Sequence, residues 1–128
     1  MVKFEKIRLE YFLKETTDAV IWEAIATPCG LARWFADRVI QEGKTFIFYW
    51  GKEEIRKAEM LLFRSGVFVR FHWLDEEPKT FFELQVRCNE MTHEIALEVT
   101  DFVPEGEAEG QADLWNSSIE KLRQVYRL

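Results

Sequence analysis

The chain opens with a regular alternation of apolar and polar residues over positions 7–13, which predicts a β-strand. The apolar face of this strand carries Ile7, Leu9, Tyr11 and Leu13. Thr16, Thr17 or Asp18 can cap a helix that continues through the apolar run 19–25. Pro28 disfavours helical geometry at the residue before it, so the first helix ends there. A second short helix is predicted over residues 30–35.

From residue 46 the apolar positions recur at every second residue, which predicts a series of strands. The apolar faces are formed by Phe46, Phe48 and Trp50; Ala58, Met60 and Leu62; Val67, Val69, Phe71 and Trp73; Phe82, Leu84, Val86 and Cys88; and Ile95, Leu97 and Val99. Short turns separate these runs. Together they predict an antiparallel meander of six or seven strands with one face buried and the other in contact with solvent.

The last element has a helical period. Trp115, Ile119, Leu122 and Tyr126 are spaced by four, three and four residues, which places them on one stripe of a long helix. A sheet that is apolar on one face has to be covered, and this helix is the obvious cover. The sequence therefore predicts an α+β fold.

Composition narrows the class of protein. The 128 residues are enough for one domain over residues 1–128, and 48% hydrophobic with 15% aromatic side chains excludes a disordered chain. A formal net charge of -6 argues against nucleic acid and against anionic membranes as partners. We find no leader pattern and no apolar stretch long enough for stable membrane insertion. Cys29 and Cys88 lie far apart, and we expect two free thiols in a cytoplasmic protein.

Several short motifs follow one another in a familiar order. An apolar helix, a Thr-Pro turn and Leu31-x-x-Trp34-Phe35 make up the segment 20–35. The later motifs are Gly43-x-x-Phe46-x-Phe48-x-Trp50, Phe71-x-Trp73, Thr92-x-x-x-Ala96-x-x-Val99-x-x-Phe102 and Trp115-x-x-Ser118-x-x-x-Leu122. This series resembles the START-like, or helix-grip (Bet v 1-like), superfamily. Within it, the chain is most similar to bacterial homologues of the activator of the heat-shock-protein-ninety ATPase.

The resemblance implies a helix-grip fold, in which a curved antiparallel sheet with two short amino-terminal helices holds a long carboxy-terminal helix. It also implies an apolar cavity between sheet and helix, although this fold hosts many functions. Our leading hypothesis is a non-catalytic domain that binds a small hydrophobic ligand there, with no cofactor. The predicted ligand-binding residues are Tyr11, Trp34, Phe46, Phe48, Trp50, Met60, Phe71, Trp73, Leu84, Leu97, Trp115, Ile119, Leu122 and Tyr126.

Two other functions stay open at this point. Phe12, Phe63 and Phe68 lie off the predicted core phase and could form a homodimer or partner surface, as in a co-chaperone-like module. A cyclase or hydrolase would require an ionisable side chain inside the cavity, such as Asp37, Arg38 or an inward-turned His93. We expect His72 and His93 on the surface, and no metal site, because neither has a partner at a ligand spacing.

Overall fold

The computed structural model describes residues 3–14 and 16–128. It has the predicted α+β architecture, with two short helices near the amino end and one long helix at the carboxyl end. The elements are β1 (Phe4–Leu13), α1 (Asp18–Ala26), α2 (Pro28–Trp34), β2 (Arg38–Glu42), β3 (Thr45–Trp50), β4 (Glu54–Arg64), β5 (Phe68–Trp73), β6 (Phe82–Cys88), β7 (Ile95–Pro104) and α3 (Ala108–Tyr126).

All seven strands belong to one curved antiparallel sheet, in the order β1-β7-β6-β5-β4-β3-β2. Strands β3 to β7 form the predicted meander, each pairing with the next, and β2, which the periodicity did not predict, pairs with β3. Strand β1 pairs with β7 along its whole length, from Phe4 opposite Pro104 to Leu13 opposite Ile95. The first and last strands are therefore neighbours, and the helix-grip fold is confirmed.

The two short helices meet at Thr27, which ends one and begins the other. The Thr27 side chain donates to the carbonyl of Glu23, 2.8 Å away, and accepts from the backbone N–H of Gly30 at 2.9 Å. Pro28 follows as the first residue of α2, where its missing N–H costs no hydrogen bond. Helix α2 thus starts two residues before its predicted beginning, because Thr27 is a good N-cap.

Helix α3 lies against the apolar face of the sheet and contacts α2, β1 and β7. Its predicted stripe is correct, because Trp115, Ile119 and Leu122 are buried. The largest fully buried side chains include Trp34, Phe46, Phe48, Phe71, Phe82, Leu84 and Leu97. The sheet, α1, α2 and α3 therefore share one continuous apolar core.

Two residues predicted on the core face are exposed. The pairing of β4 with β5 shifts between Met60 and Leu62, so this bulge places Leu62 opposite Arg70, and its side chain is half-exposed. Cys88 is in phase with the buried Val86, but as the last residue of β6 it is exposed, although Ile95 opposite it on β7 is buried.

Candidate functional site

A cleft of about 360 Å³ lies between the first half of α3 and the ends of several strands. Trp50 is the last residue of β3 and Trp73 is the last residue of β5, so both strands stop at this cleft. The lining residues are Phe35, Trp50, Glu54, Arg56, Trp73, Asp101, Gln111, Leu114, Trp115, Ser117 and Ser118. The cleft is therefore built from four strands, one helix and the segment after α2.

One wall of the cleft is aromatic, and Phe35 lies at its centre. The Phe35 ring centroid is 5.7 Å from that of Trp115, 5.8 Å from that of Trp50 and 6.4 Å from that of Trp73. Trp50 donates its indole N–H to the carbonyl of Phe35, 2.8 Å away. Because these rings pack on one another and on the core, the wall is formed before any ligand arrives.

Asp101 supplies an acidic group beside the aromatic wall. Its Oδ2 accepts from the indole N–H of Trp115 at 2.8 Å and from the side-chain amide of Gln111 at 3.1 Å. Its Oδ1 accepts from the backbone N–H of Phe102 at 2.8 Å. Burial raises the pKa of Asp101 to about 6, although these three hydrogen bonds favour the ionised form.

Arg56 also lines the cleft, in contact with one ring of the aromatic wall. Its guanidinium carbon is 3.9 Å from the ring centroid of Trp73, which is a cation–π geometry. The same group binds Asp75 through two hydrogen bonds of 2.8 and 3.1 Å, and Glu76 through one of 3.1 Å. The hydrogen bonds from Arg56 lower the pKa of Asp75.

The predicted ligand-binding residues fall into three groups. Trp50, Trp73 and Trp115 come together at the cleft. The members buried in the core are Trp34, Phe46, Phe48, Phe71, Leu84, Leu97, Ile119 and Leu122. The remaining three, Tyr11, Met60 and Tyr126, are half-buried and lie outside the lining of the cleft.

Each of these three half-buried residues has its own surroundings. Tyr11 donates its hydroxyl to Oδ1 of Asn116, 2.6 Å away, and so joins β1 to α3. Met60 lines a smaller cleft of about 250 Å³ beside Phe63. The ring of Tyr126 lies 4.4 Å from the guanidinium carbon of Arg33.

The sequence reasoning missed Glu54, Arg56 and Asp101, although a signal for each was present. Asp101 shares the inward phase of β7 with Leu97 and Val99, and an acidic residue in that register is unusual. Glu54 and Arg56 share the phase of the buried Ala58 on β4. Polar residues in an apolar register therefore mark where the core ends and the cleft begins.

The other polar groups proposed from sequence lie on the surface. Asp37 accepts from the backbone N–H of Gly51 at 2.6 Å, and the Arg38 guanidinium lies over the ring of Tyr49. His93 is exposed, and the half-buried His72 places Nδ1 2.8 Å from the carbonyl oxygen of Thr80. The ionisable side chains that line the cleft are Glu54, Arg56 and Asp101 instead, and Asp101 is the buried one of the three.

Across residues 3–14 and 16–128, no group of three or more His, Cys, Asp or Glu side chains is close enough to hold a metal ion. Within the same described part of the chain, none of the helices is long and apolar enough to cross a membrane.

Comparison with known proteins places this architecture in a family. A solution NMR structure from Bacteroides fragilis is 46% identical over 95% of this chain and 90% of that one, with a TM-score of 0.69. The solution structure of the Aha1 dimer from Colwellia psychrerythraea is 14% identical, with coverages of 94% and 96% and a TM-score of 0.76.

A third similar structure is DynU16, a protein of the dynemicin biosynthetic locus. It is 18% identical over 95% of this chain and 47% of its own, with a TM-score of 0.76. No curated protein matches the sequence. A family model of the START-like superfamily domain matches residues 1–127, and the chain therefore belongs to the START-like superfamily.

Proposed function

We propose that this protein binds a small molecule with a flat apolar body in the cleft between α3 and the sheet, without changing it chemically. The observation that carries the proposal is the aromatic wall of Phe35, Trp50, Trp73 and Trp115 around a space of about 360 Å³. Ligand sites are concave, mostly apolar and largely formed in advance, with a few polar groups for orientation. The cleft matches this description in its concave shape and its aromatic wall, and its polar groups include Glu54, Arg56 and Asp101.

Binding is favoured over catalysis by the state of the polar groups. Asp101 is the buried acid of the cleft, and both of its carboxylate oxygens already accept hydrogen bonds. Arg56 is held by Asp75 and Glu76. Groups fixed in this way orient a ligand well, whereas a general base needs to reach a proton on the substrate.

The first test uses a neutral flat fluorophore, N-phenyl-1-naphthylamine, and the substitution Leu114→Trp. Leu114 is 63% exposed at the cleft, so a larger side chain there fills the cleft and leaves the core intact. We expect the probe to bind the wild type and its affinity to fall about tenfold or more in the variant, a loss of about 1.4 kcal/mol. Fluorescence titration measures both affinities.

The matched control is Gln124→Trp, which adds the same ring to an exposed position of α3 outside the cleft. Its affinity for the probe should equal that of the wild type, and all three proteins should unfold at similar temperatures. Equal binding to the Leu114→Trp and Gln124→Trp variants would show that the probe lies elsewhere. Native mass spectrometry of gently purified protein would then identify any ligand carried from the cell.

A second function, as a protein-interaction or co-chaperone-like module, is favoured by a different surface. Strand β3 begins at Thr45 opposite Glu59, so the last residues of β4 extend beyond β3 and pair with β5 alone. Leu61, Leu62 and Phe63 are each about half-exposed in that segment. An apolar segment beside an unpaired strand edge is a typical site for association with another chain.

A further inference from the structure

We propose that the ligand of this cleft is an organic cation, in which an ammonium group is attached to an apolar body. This inference rests on the proposed function, because it specifies the charge of the molecule that the cleft binds. Three features carry it: the aromatic wall, the position of Arg56 and the balance of charges around the cleft.

The aromatic wall suits a cation because the face of each ring carries negative electrostatic potential. Trp is the strongest of the aromatic residues in this respect, and three of the four rings in the wall are Trp. Trp50 and Trp115 use their indole N–H groups on protein acceptors, so the polar edges of these rings are already satisfied. Such a wall presents the faces of its rings, rather than hydrogen-bond donors, to a ligand.

The protein already places one cation against this wall. The guanidinium of Arg56 lies 3.9 Å from the ring centroid of Trp73 and also contacts the carboxylate of Asp75. The cleft thus stabilises a positive charge in the absence of a ligand. A second cation beside the rings would use the same two kinds of contact.

The charges around the cleft favour a cation over an anion. Among the lining residues, Glu54 and Asp101 are acidic and Arg56 is basic. The charge of Arg56 is balanced by Asp75 and Glu76, whose oxygens are 2.8 and 3.1 Å from its Nη2. An anionic ligand would have to displace these partners and would then lie near two further carboxylates. A cation would interact with Glu54 and Asp101 without displacing the partners of Arg56.

Asp101 gives the cation a buried counter-charge. Its carboxylate is buried between β7 and α3 and accepts hydrogen bonds from Gln111 and Trp115, and the acidic Glu76 is the charged group that acts on it. Glu54 and Arg56 face the same space from β4. A positive ligand group would replace part of the solvation that Asp101 loses on folding.

The test compares two molecules of the same shape and different charge. Phenyltrimethylammonium is a cation, and tert-butylbenzene is its neutral counterpart. We expect the cation to displace N-phenyl-1-naphthylamine with about tenfold higher affinity than the neutral molecule, and benzenesulfonate, an anion, to displace it least. Calorimetric titration of the cation into the protein measures its affinity directly and does not depend on the fluorophore.

Variants then assign the preference to the cleft. Glu54→Gln changes an exposed residue and should lower the ratio of cation to neutral affinity several-fold, as should Asp101→Asn if it folds. Glu42→Gln removes one exposed acid at the end of β2, outside the cleft, and should leave both affinities unchanged. This control separates a local charge from the general negative charge of the protein.

The outcomes distinguish this inference from the proposed function. Equal or stronger binding of tert-butylbenzene or benzenesulfonate would overturn the cation inference and leave ligand binding intact. A wild type that binds neither the fluorophore nor phenyltrimethylammonium would overturn both. Binding of the cation without the fluorophore would support the inference and limit the proposed function to charged ligands.

Discussion

Asp101 joins the sheet to the helix at the cleft through a buried carboxylate. It connects β7 to two residues of α3, Gln111 and Trp115, by side-chain hydrogen bonds. Burial without a cationic partner is unfavourable to the charged form, and this is the largest cause of its raised pKa. The residue therefore affects both the stability of the fold and the polarity of the cleft.

The raised pKa of Asp101 makes the free energy of unfolding depend on pH. The pKa of Asp101 is about 6 in the folded protein against an ordinary value of 3.8, so between these values the folded state holds a proton that the unfolded state has released. The free energy of unfolding should therefore fall as pH rises through this window, by about 3 kcal/mol in total from this group. Asp101→Asn does not ionise and should lack this decrease.

Urea unfolding of both proteins at pH values from about 4 to about 7 measures the effect. The stability of the wild type relative to the Asp101→Asn variant should be greatest at the acid end and should decline as pH rises. Other titrating groups act on both proteins alike, so the difference isolates Asp101. Two parallel pH profiles would contradict a raised pKa at this residue.

The sequence predicts which face of a strand the polar residues of the cleft occupy, but it does not predict which residues they pair with. Asp101 and Arg56 both occupy apolar phases of their strands, which periodicity alone reveals. The pairing of Arg56 with Asp75 joins a strand to a turn 19 residues later, and it depends on how β4 and β5 align. Periodicity assigns each residue to a face, but it gives no alignment between strands.

Short helices α1 and α2 depend on close backbone contact at their junction. A Cβ atom at Gly30 would overlap the carbonyl oxygen of Glu23 and approach Cα of Ala24 to 2.8 Å. Both neighbours are backbone atoms, which have little freedom to move. The sequence placed Gly30 beside a turn, but the approach of α1 to α2 that requires a glycine is a property of the folded chain.

Gly30→Ala should therefore destabilise the protein even though alanine is the better helix former. We expect a loss of about 1–3 kcal/mol in the free energy of unfolding, the usual cost of overpacking. Gly110→Ala in α3 is the matched control, because nothing lies within 4 Å of a Cβ atom there, and it should gain up to about 1 kcal/mol. Chemical denaturation of both variants checks the signs, and two stabilised variants would contradict the close contact.

Strand β4 is where the sequence was least informative. Met60, Leu61, Leu62 and Phe63 are consecutive apolar residues, so the alternation that assigns faces is absent exactly where the bulge occurs. On the other predicted strands the buried faces agree with the prediction apart from Cys88. The local pattern thus predicts the buried face of a strand correctly up to the point where an extra residue, as in this bulge, shifts the register.

At the scale of the whole molecule, only part of the strand order was predictable from the sequence. Short turns predict that β3 to β7 pair in sequence, because tight connections favour antiparallel neighbours. The pairing of β1 with β7 is a finding of the structure, because no short connection links these strands and periodicity does not indicate which strands are neighbours. The resemblance implied an apolar cavity between sheet and helix, whereas most of the predicted ligand-binding residues are buried in a continuous core and the cleft lies at its edge.

The exposed end of β4 leads to a prediction about assembly. We expect the wild type to form a dimer through Leu61, Leu62 and Phe63, because a second copy would cover these side chains and pair with the β4 edge. Phe63 is 57% exposed, so Phe63→Lys should keep the fold and reduce the mass toward the monomer value of 15.3 kDa. Light scattering after size exclusion measures the mass. Met91→Lys, at an exposed position in the turn between β6 and β7, is the control and should stay dimeric, whereas a monomeric wild type would contradict the prediction.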